Sequence, residues 1–278
     1  MSTTAEGKLQ AFETYLYHHE KAVTTIKKYI CVVEQLLVFL AGREIVKSLI
    51  LEYRDQLLEK RKAQTVNGSI SAINAFLDFD GLPECKVKLL KVQRQAFIEE
   101  NRELSQIEYK RLLRSAQSKG NQRLYHLMLI LCSTGIRIGE LSFITVEAVR
   151  AGRAEINLKG KNRTIILQKK LRNKLQQYIK KQNLERGYVF RTKNGRPLDR
   201  SNICHDMKKL CAEAQVDRRK VFPHNLRHLF ARTYYTIEKN LAHLADILGH
   251  SRIETTRIYV AVSAREHERT LQKMKLIL

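Results

Sequence analysis

The stretch Leu124–Ile144, "LYHLMLILCSTGIRIGELSFI", sets the reading of the fold. It is an apolar helix that closes at Gly135, a residue able to take the left-handed conformation with which helices end. Arg137 then falls at the start of the next helix. Backbone N–H groups and the positive end of a helix dipole make that a natural phosphate site, and a guanidinium can hold two phosphate oxygens at once. A surface arginine beside a turn, paired locally with Glu140, is the plainer reading of the same residues.

The charge balance points the same way as the phosphate reading. The 278 residues carry 51 Lys and Arg against 28 Asp and Glu, a formal net charge of +23. Up to Ile98 there are 14 basic and 11 acidic residues, so the excess sits in the C-terminal two-thirds. Such a field attracts polyanions, nucleic acid first among them. No apolar run approaches the roughly 18–20 residues needed to span a bilayer, and "MSTTAEGKLQ" is no signal peptide, so no membrane partner is expected. The five cysteines (Cys31, Cys85, Cys132, Cys204, Cys211) are scattered and form no C-x-x-C pair. That argues against a disulfide framework and a zinc site and fits a reducing cytosol.

Working outward, the first third reads as helices. "TTIKKYICVVEQLLVFLAG" (24–42) offers Thr24 as a cap, apolar residues at Ile26, Ile30, Val33, Leu36, Leu37 and Leu40, and Gly42 as a stop. "QTVNGSISAINAFLDFDG" (64–81) repeats the pattern with Val66, Ile70, Ile73, Phe76 and Leu77. With helices near 6–18 and 44–60, this predicts a bundle of about four helices over 1–84. "KVKLLKVQRQAFIEENRE" (86–103) is mixed in charge and weakly periodic, so 85–102 is expected to be a linker. A second domain, 103–278, opens with "LSQIEYKRLLRSA", where Ser105 and Glu108 make a capping box. It contains one hairpin signal, "AEINL" and "RTIILQ" about the turn "KGKN" (159–162). Its other long segments look helical. The fold class is therefore mainly α, in two domains with one small β-hairpin.

Several residues could carry chemistry. The hairpin tip places Lys159, Lys161 and Arg163 close together; they are either solvated charges or groups that enter a groove of DNA. The basic helix "QKKLRNKLQQYIKK" (168–181) suits a phosphate backbone. In "PHNLRH" (223–228), Pro223 suits the first helical position, and His224 and Arg227 stand three apart on one face. An imidazole can pass a proton while a guanidinium holds developing charge. His228 lies a step round, where core or surface is the expectation. In "LADILGHSRIETTRIYV" (244–260), Gly249 ends a helix, His250 follows, and Thr255 or Thr256 begins another helix that carries Tyr259. Such a tyrosine is a packing residue or a nucleophile.

Arg within "TGIRIGEL", a hairpin lysine, His-x-x-Arg, "LGHS" and a Tyr nine residues later, in that order, resemble the tyrosine recombinase (phage-type integrase) family. The resemblance covers the whole chain, and it implies roles. Arg137 and Arg227 clamp the scissile phosphate, and Tyr259 attacks phosphorus to give a 3′-phosphotyrosine bond and a free 5′-hydroxyl. His224 helps accept the tyrosine proton, and His250 hydrogen-bonds a non-bridging oxygen. Glu140 supports Arg137, and the hairpin lysine protonates the leaving 5′-oxygen. The hairpin is shorter than the family's common form. Counting back from "TIIL" favours Lys159 for this role, with Lys161 as the alternative. Covalent catalysis of this kind conserves bond energy, so neither a cofactor nor a metal is expected.

The resemblance implies a C-shaped clamp of two domains around double-stranded DNA. It also implies a protein that is monomeric when free and tetrameric in synapsis. In the tail "AREHERTLQKMKLIL" (264–278), Leu271, Met274, Leu276, Ile277 and Leu278 are expected to dock on their own domain or in a neighbouring protomer. An arm-binding domain is not expected, because the core-binding pattern begins within the first dozen residues. This favours a Xer or transposon-integrase kind, acting in the cytoplasm on the nucleoid, with an accessory directionality factor among its partners. Integration and excision of a mobile element and resolution of chromosome dimers share these features. A type IB topoisomerase and a non-catalytic DNA-binding protein are the alternatives from other classes.

Overall fold

The computed structural model describes residues 3–92, 102–158, 161–260 and 272–274. The chain divides into two compact units, Met1–Arg94 and Gln95–Leu278. No described helix is long and apolar enough to cross a membrane.

Four helices build the first unit: α1 (Thr3–His18), α2 (Val23–Leu40), α3 (Lys47–Lys60) and α4 (Ala63–Phe79). The apolar stripes face inward, and Val33, Leu36, Val66, Ile70, Phe76 and Leu77 are buried, the 3.6-residue period doing what amphipathicity requires. α2 starts at Val23 behind Ala22, which offers no side-chain cap, so Thr24 lies inside the helix rather than capping it. The expected linker opens with residues that belong to this unit. Cys85 and Val87 are buried in its core. Asn74 exchanges two hydrogen bonds with the Val87 backbone (2.9 and 3.1 Å), and Asn67 does the same with Leu90 (2.9 and 2.8 Å). Side-chain amides thus satisfy an extended backbone as a neighbouring strand would, a partnership that leaves no periodic trace.

The second unit packs around one helix. α5 (Gln106–Ser118) begins at the Ser105–Glu108 capping box, and α6 (Gln122–Thr134) follows. Burial of Leu124, Tyr125, His126, Leu127, Met128, Ile130 and Leu131 leaves α6 almost no solvent face, the mark of a central helix. After Gly135 comes a 3-10 stretch, Ile138–Phe143, not an α-helix, with Arg137 at its N-cap. Next come α7 (Val146–Ala151) and the antiparallel strands β1 (Arg153–Leu158) and β2 (Lys161–Ile166). Pairing runs from Arg153–Ile166 to Leu158–Lys161. The hairpin connection is therefore two residues, 159–160, not the four of "KGKN". Then follow α8 (Lys169–Lys181), α9 (Arg200–Lys208), α10 (Cys211–Ala214), α11 (Pro223–Glu238), α12 (Leu241–Leu248) and α13 (Ile253–Val260). α8 buries Leu171, Leu175, Tyr178 and Ile179 and exposes Lys169, Lys170, Lys180 and Lys181. Of the tail, only 272–274 is described; its apolar residues, Met274 excepted, lie outside the described residues.

Candidate active site

Three chain segments converge because two helices end in left-handed glycines. Gly135 (φ 64°) closes α6 and Gly249 (φ 63°) closes α12. A side chain at either would collide, a Cβ at Gly135 with the Phe230 ring and one at Gly249 with Arg163 Cδ at 2.7 Å. The carbonyls that these turns free become anchors for guanidinium groups.

Arg227, on the first turns of α11, is 1 % exposed. It donates to the Gly135 carbonyl, to the Leu248 carbonyl at 2.7 Å and to His250 Nε2 at 2.8 Å. Arginine only donates. His250 Nε2 is therefore the acceptor, and its Nδ1–H points to Thr256 Oγ1 at 2.7 Å. Arg137 Nη2 reaches the Gly249 carbonyl at 3.1 Å, and its Nη1 reaches Glu140 Oε1 at 3.0 Å. Glu140, 4 % exposed, also accepts from the Arg137 backbone at 2.7 Å and from Arg163 Nη2.

Tyr259 is brought in by α13. That helix begins at Ile253, two or three residues earlier than expected, which places Thr256 inside it, fully buried and turned to His250. Tyr259 is itself buried at 5 % exposure. Its Oη lies 3.4 Å from His224 Nε2, and its ring stacks on His250 at 5.4 Å and 16°. The Arg227 guanidinium sits 6.0 Å from the ring centroid.

The electrostatics are lopsided. Arg137 and Arg163 share one carboxylate, Glu140, while the third guanidinium, Arg227, is held by two carbonyls and an imidazole. Burial, then the nearby Arg137 charge, pulls Arg227 down to about 10. Burial, then Arg227 and Arg137, drives His250 down to about 3. His224 keeps solvent access, yet loss of hydration and then the neighbouring His228 and Arg227 push it down to about 4. Every shift resists further positive charge, so the site favours an anion. Among the described residues, no group of three or more His, Cys, Asp or Glu side chains is placed to hold a metal ion.

The structure thus gathers Arg137, Glu140, His224, Arg227, His250 and Tyr259. Lys159 lies outside the described residues, as does the side chain of Lys161. Three residues were missed by sequence reasoning. Arg163 is no solvated tip charge: it turns inward onto Glu140 and the Ile247 carbonyl. Strand alternation puts it on the face of buried Ile165, a signal the sequence did hold. Thr256 and His228, whose ring lies 4.4 Å from that of Tyr259, gave no local sign.

Fold and charge together define an anion grip with an aromatic hydroxyl beside it. The chain belongs to the phage integrase family, whose model matches residues 102–266. It is 26% identical over 278 residues to the tyrosine recombinase XerA of Pyrococcus furiosus, spanning 97% of this chain and 94% of that one. It is 25% identical over 272 residues to the TnP I resolvase of Bacillus thuringiensis, spanning 89% and 93%. Among solved structures, a lambda integrase tetramer bound to a Holliday junction shares the fold, with a TM-score of 0.71 at 17% identity over 92% of this chain and 76% of that one.

Proposed function

We propose that this protein cuts and rejoins DNA through a 3′-phosphotyrosine intermediate formed on Tyr259. That it is a site-specific DNA recombinase, a strand-transferring enzyme, follows from its family and its Xer relatives. The observation that carries the finer reading is the placement of the Tyr259 hydroxyl 3.4 Å from His224 Nε2, beside the buried Arg227.

In this reading Arg137 and Arg227 bind the non-bridging oxygens of the scissile phosphate and stabilise the charge that builds on them. Tyr259 Oη attacks phosphorus, its proton passes to His224, and the P–O5′ bond breaks. The leaving 5′-oxygen takes a proton from the hairpin lysine, Lys159 or else Lys161. His250 exchanges its acceptor contact with Arg227 for a hydrogen bond to a phosphate oxygen, which requires a proton on Nε2. An arriving phosphate supplies the negative charge that makes such protonation favourable. Glu140 and Arg163 hold Arg137 in place. The phosphotyrosine ester keeps the energy of the broken bond, so the 5′-hydroxyl can reverse the step on a new partner strand.

The proposal extends to the assembly. The lambda integrase tetramer on a Holliday junction supports a synaptic tetramer on duplex DNA, with the exposed lysines of α8 on phosphate. An accessory factor setting direction and a cytoplasmic, nucleoid-associated site of action complete the reading. The XerA and TnP I resolvase relatives both support exchange between two DNA sites.

The test is covalent trapping on nicked suicide duplexes tiled from the DNA flanking the gene. An SDS-resistant adduct that forms with the native protein and not with Tyr259→Phe is the expected result. Site-specific binding without an adduct would move the protein to the non-catalytic class, and strand relaxation at any sequence would move it to the topoisomerases.

A further inference from the structure

We propose that Glu103 and His228 form a positioning pair for Tyr259, an inference that rests on reading Tyr259 as the nucleophile. His228 follows Arg227 on α11. Its ring lies 4.4 Å from the Tyr259 ring at 57°, and 4.9 Å from that of His224 at 74°. It therefore touches both partners in the proton transfer.

The other edge of His228 faces a carboxylate. Its Nδ1 stands 3.8 Å from Glu103 Oε1, with the two side chains 19% and 10% exposed. Both of these atoms are buried, and neither has a hydrogen-bond partner among the described residues. Leaving a buried donor and a buried acceptor unsatisfied is costly, and these two stand 3.8 Å apart. A closure of roughly half an ångström brings them to the outer limit of an ordinary hydrogen bond.

Glu103 is held ready for this. Its other oxygen pairs with Arg232 Nη1, and Arg232 Nη2 donates to the Leu104 carbonyl at 2.9 Å. Asn225 Nδ2 donates to the Arg102 carbonyl at 2.8 Å. Two side chains of α11 thus strap residues 102–104 along the helix that carries His224, Arg227 and His228. Packing alone does not account for the arrangement. An apolar ring would fill the space beside Tyr259 without the cost of burying a carboxylate. A carboxylate on Nδ1 fixes the tautomer and the tilt of the imidazole, and that ring is the surface against which the phenol rests.

The test uses His228→Phe, which keeps a ring against Tyr259 but cannot donate, with His228→Asn, whose amide can still donate near the Nδ1 position. Glu103→Ala removes the acceptor and Glu103→Gln keeps one. Single-turnover adduct formation on a suicide duplex is the readout, with duplex affinity and melting temperature measured alongside. His228→Phe and Glu103→Ala are expected to slow the adduct step on the order of tenfold to a hundredfold, the scale of a small misplacement of a reacting group. Glu103→Gln should keep most of the rate, and His228→Asn should recover part of it. The double variant that combines His228→Phe with Glu103→Ala should be no slower than His228→Phe alone.

A purely structural role is separated by supplying hydrogen peroxide as a diffusible nucleophile to the Tyr259→Phe protein. If the pair acts through the tyrosine, adding His228→Phe leaves peroxide-driven cleavage unchanged. Equal losses in both assays, or an unchanged adduct rate in His228→Phe, would overturn the proposal. Failure of the nucleophile reading is distinct: the adduct would then persist in Tyr259→Phe itself.

Discussion

Arg227 Nη2 donates to His250 Nε2 across 2.8 Å, which holds the imidazole neutral, with its one ring proton on Nδ1 and donated to Thr256 Oγ1. The contact joins two groups that would repel each other if both were charged, and it makes the site sensitive to pH before any DNA arrives.

Acid should therefore destabilise the free protein through His250. Its value in the fold is about 3, against an ordinary 6.5. As pH falls below about 6.5, the unfolded chain takes up a proton that the folded protein refuses until near pH 3. The stability is complete above the upper value and declines through that window. Melting temperature measured from pH 7 to pH 4 should fall, and the His250→Gln variant should show a shallower slope.

Replacing Arg227 should cost both fold and chemistry. A lysine keeps the charge but cannot serve two carbonyls and an imidazole that are spread around a planar fork. Arg227→Ala leaves the Gly135 and Leu248 carbonyls without their donor. We expect a loss of about 2–4 kcal/mol in urea melts for the alanine variant. Adduct formation should fall by more than a hundredfold in both variants, as for loss of a charge-stabilising donor.

Gly135→Ala should act on the same arginine from a distance. The φ of 64° is strained for any residue with a Cβ, and Phe230 blocks the space a methyl would need. A destabilisation of about 1–3 kcal/mol is expected. Because the Gly135 carbonyl anchors Arg227, the adduct rate should drop while affinity for duplex DNA, measured by gel shift, changes little.

Lys159→Ala should block cleavage of an ordinary phosphodiester and spare a substrate with sulfur at the bridging 5′ position. A thiolate leaves without a proton, since thiols ionise near pH 8.5, so the general acid becomes dispensable. Lys161→Ala should cleave both. The opposite pattern would transfer the role to Lys161.

The helices were legible because their residues repeat. Ile70, Ile73, Phe76 and Leu77 declare one buried face, and Ser105 with Glu108 declares where α5 begins. The β-hairpin was legible too, but its turn was not: strand pairing continues through Lys161, where polar residues give no alternation to follow. The segment 85–90 escaped because its partners, Asn67 and Asn74, are side chains on α4 acting on a distant backbone.

The sequence by itself determined which groups could hold an anion and the order in which they occur, since a guanidinium, an imidazole and a phenol keep their chemistry wherever they lie. Only the tertiary structure decided which of them meet. Arg137 and Arg163 share Glu140 although they lie on different elements, and Arg227 is fixed by carbonyls of Gly135 and Leu248. His228 and Thr256 acquired neighbours that no spacing in the chain encodes. Helical period is a local property of the backbone, whereas burial of a charge and the partner that satisfies it depend on what the rest of the chain packs against it.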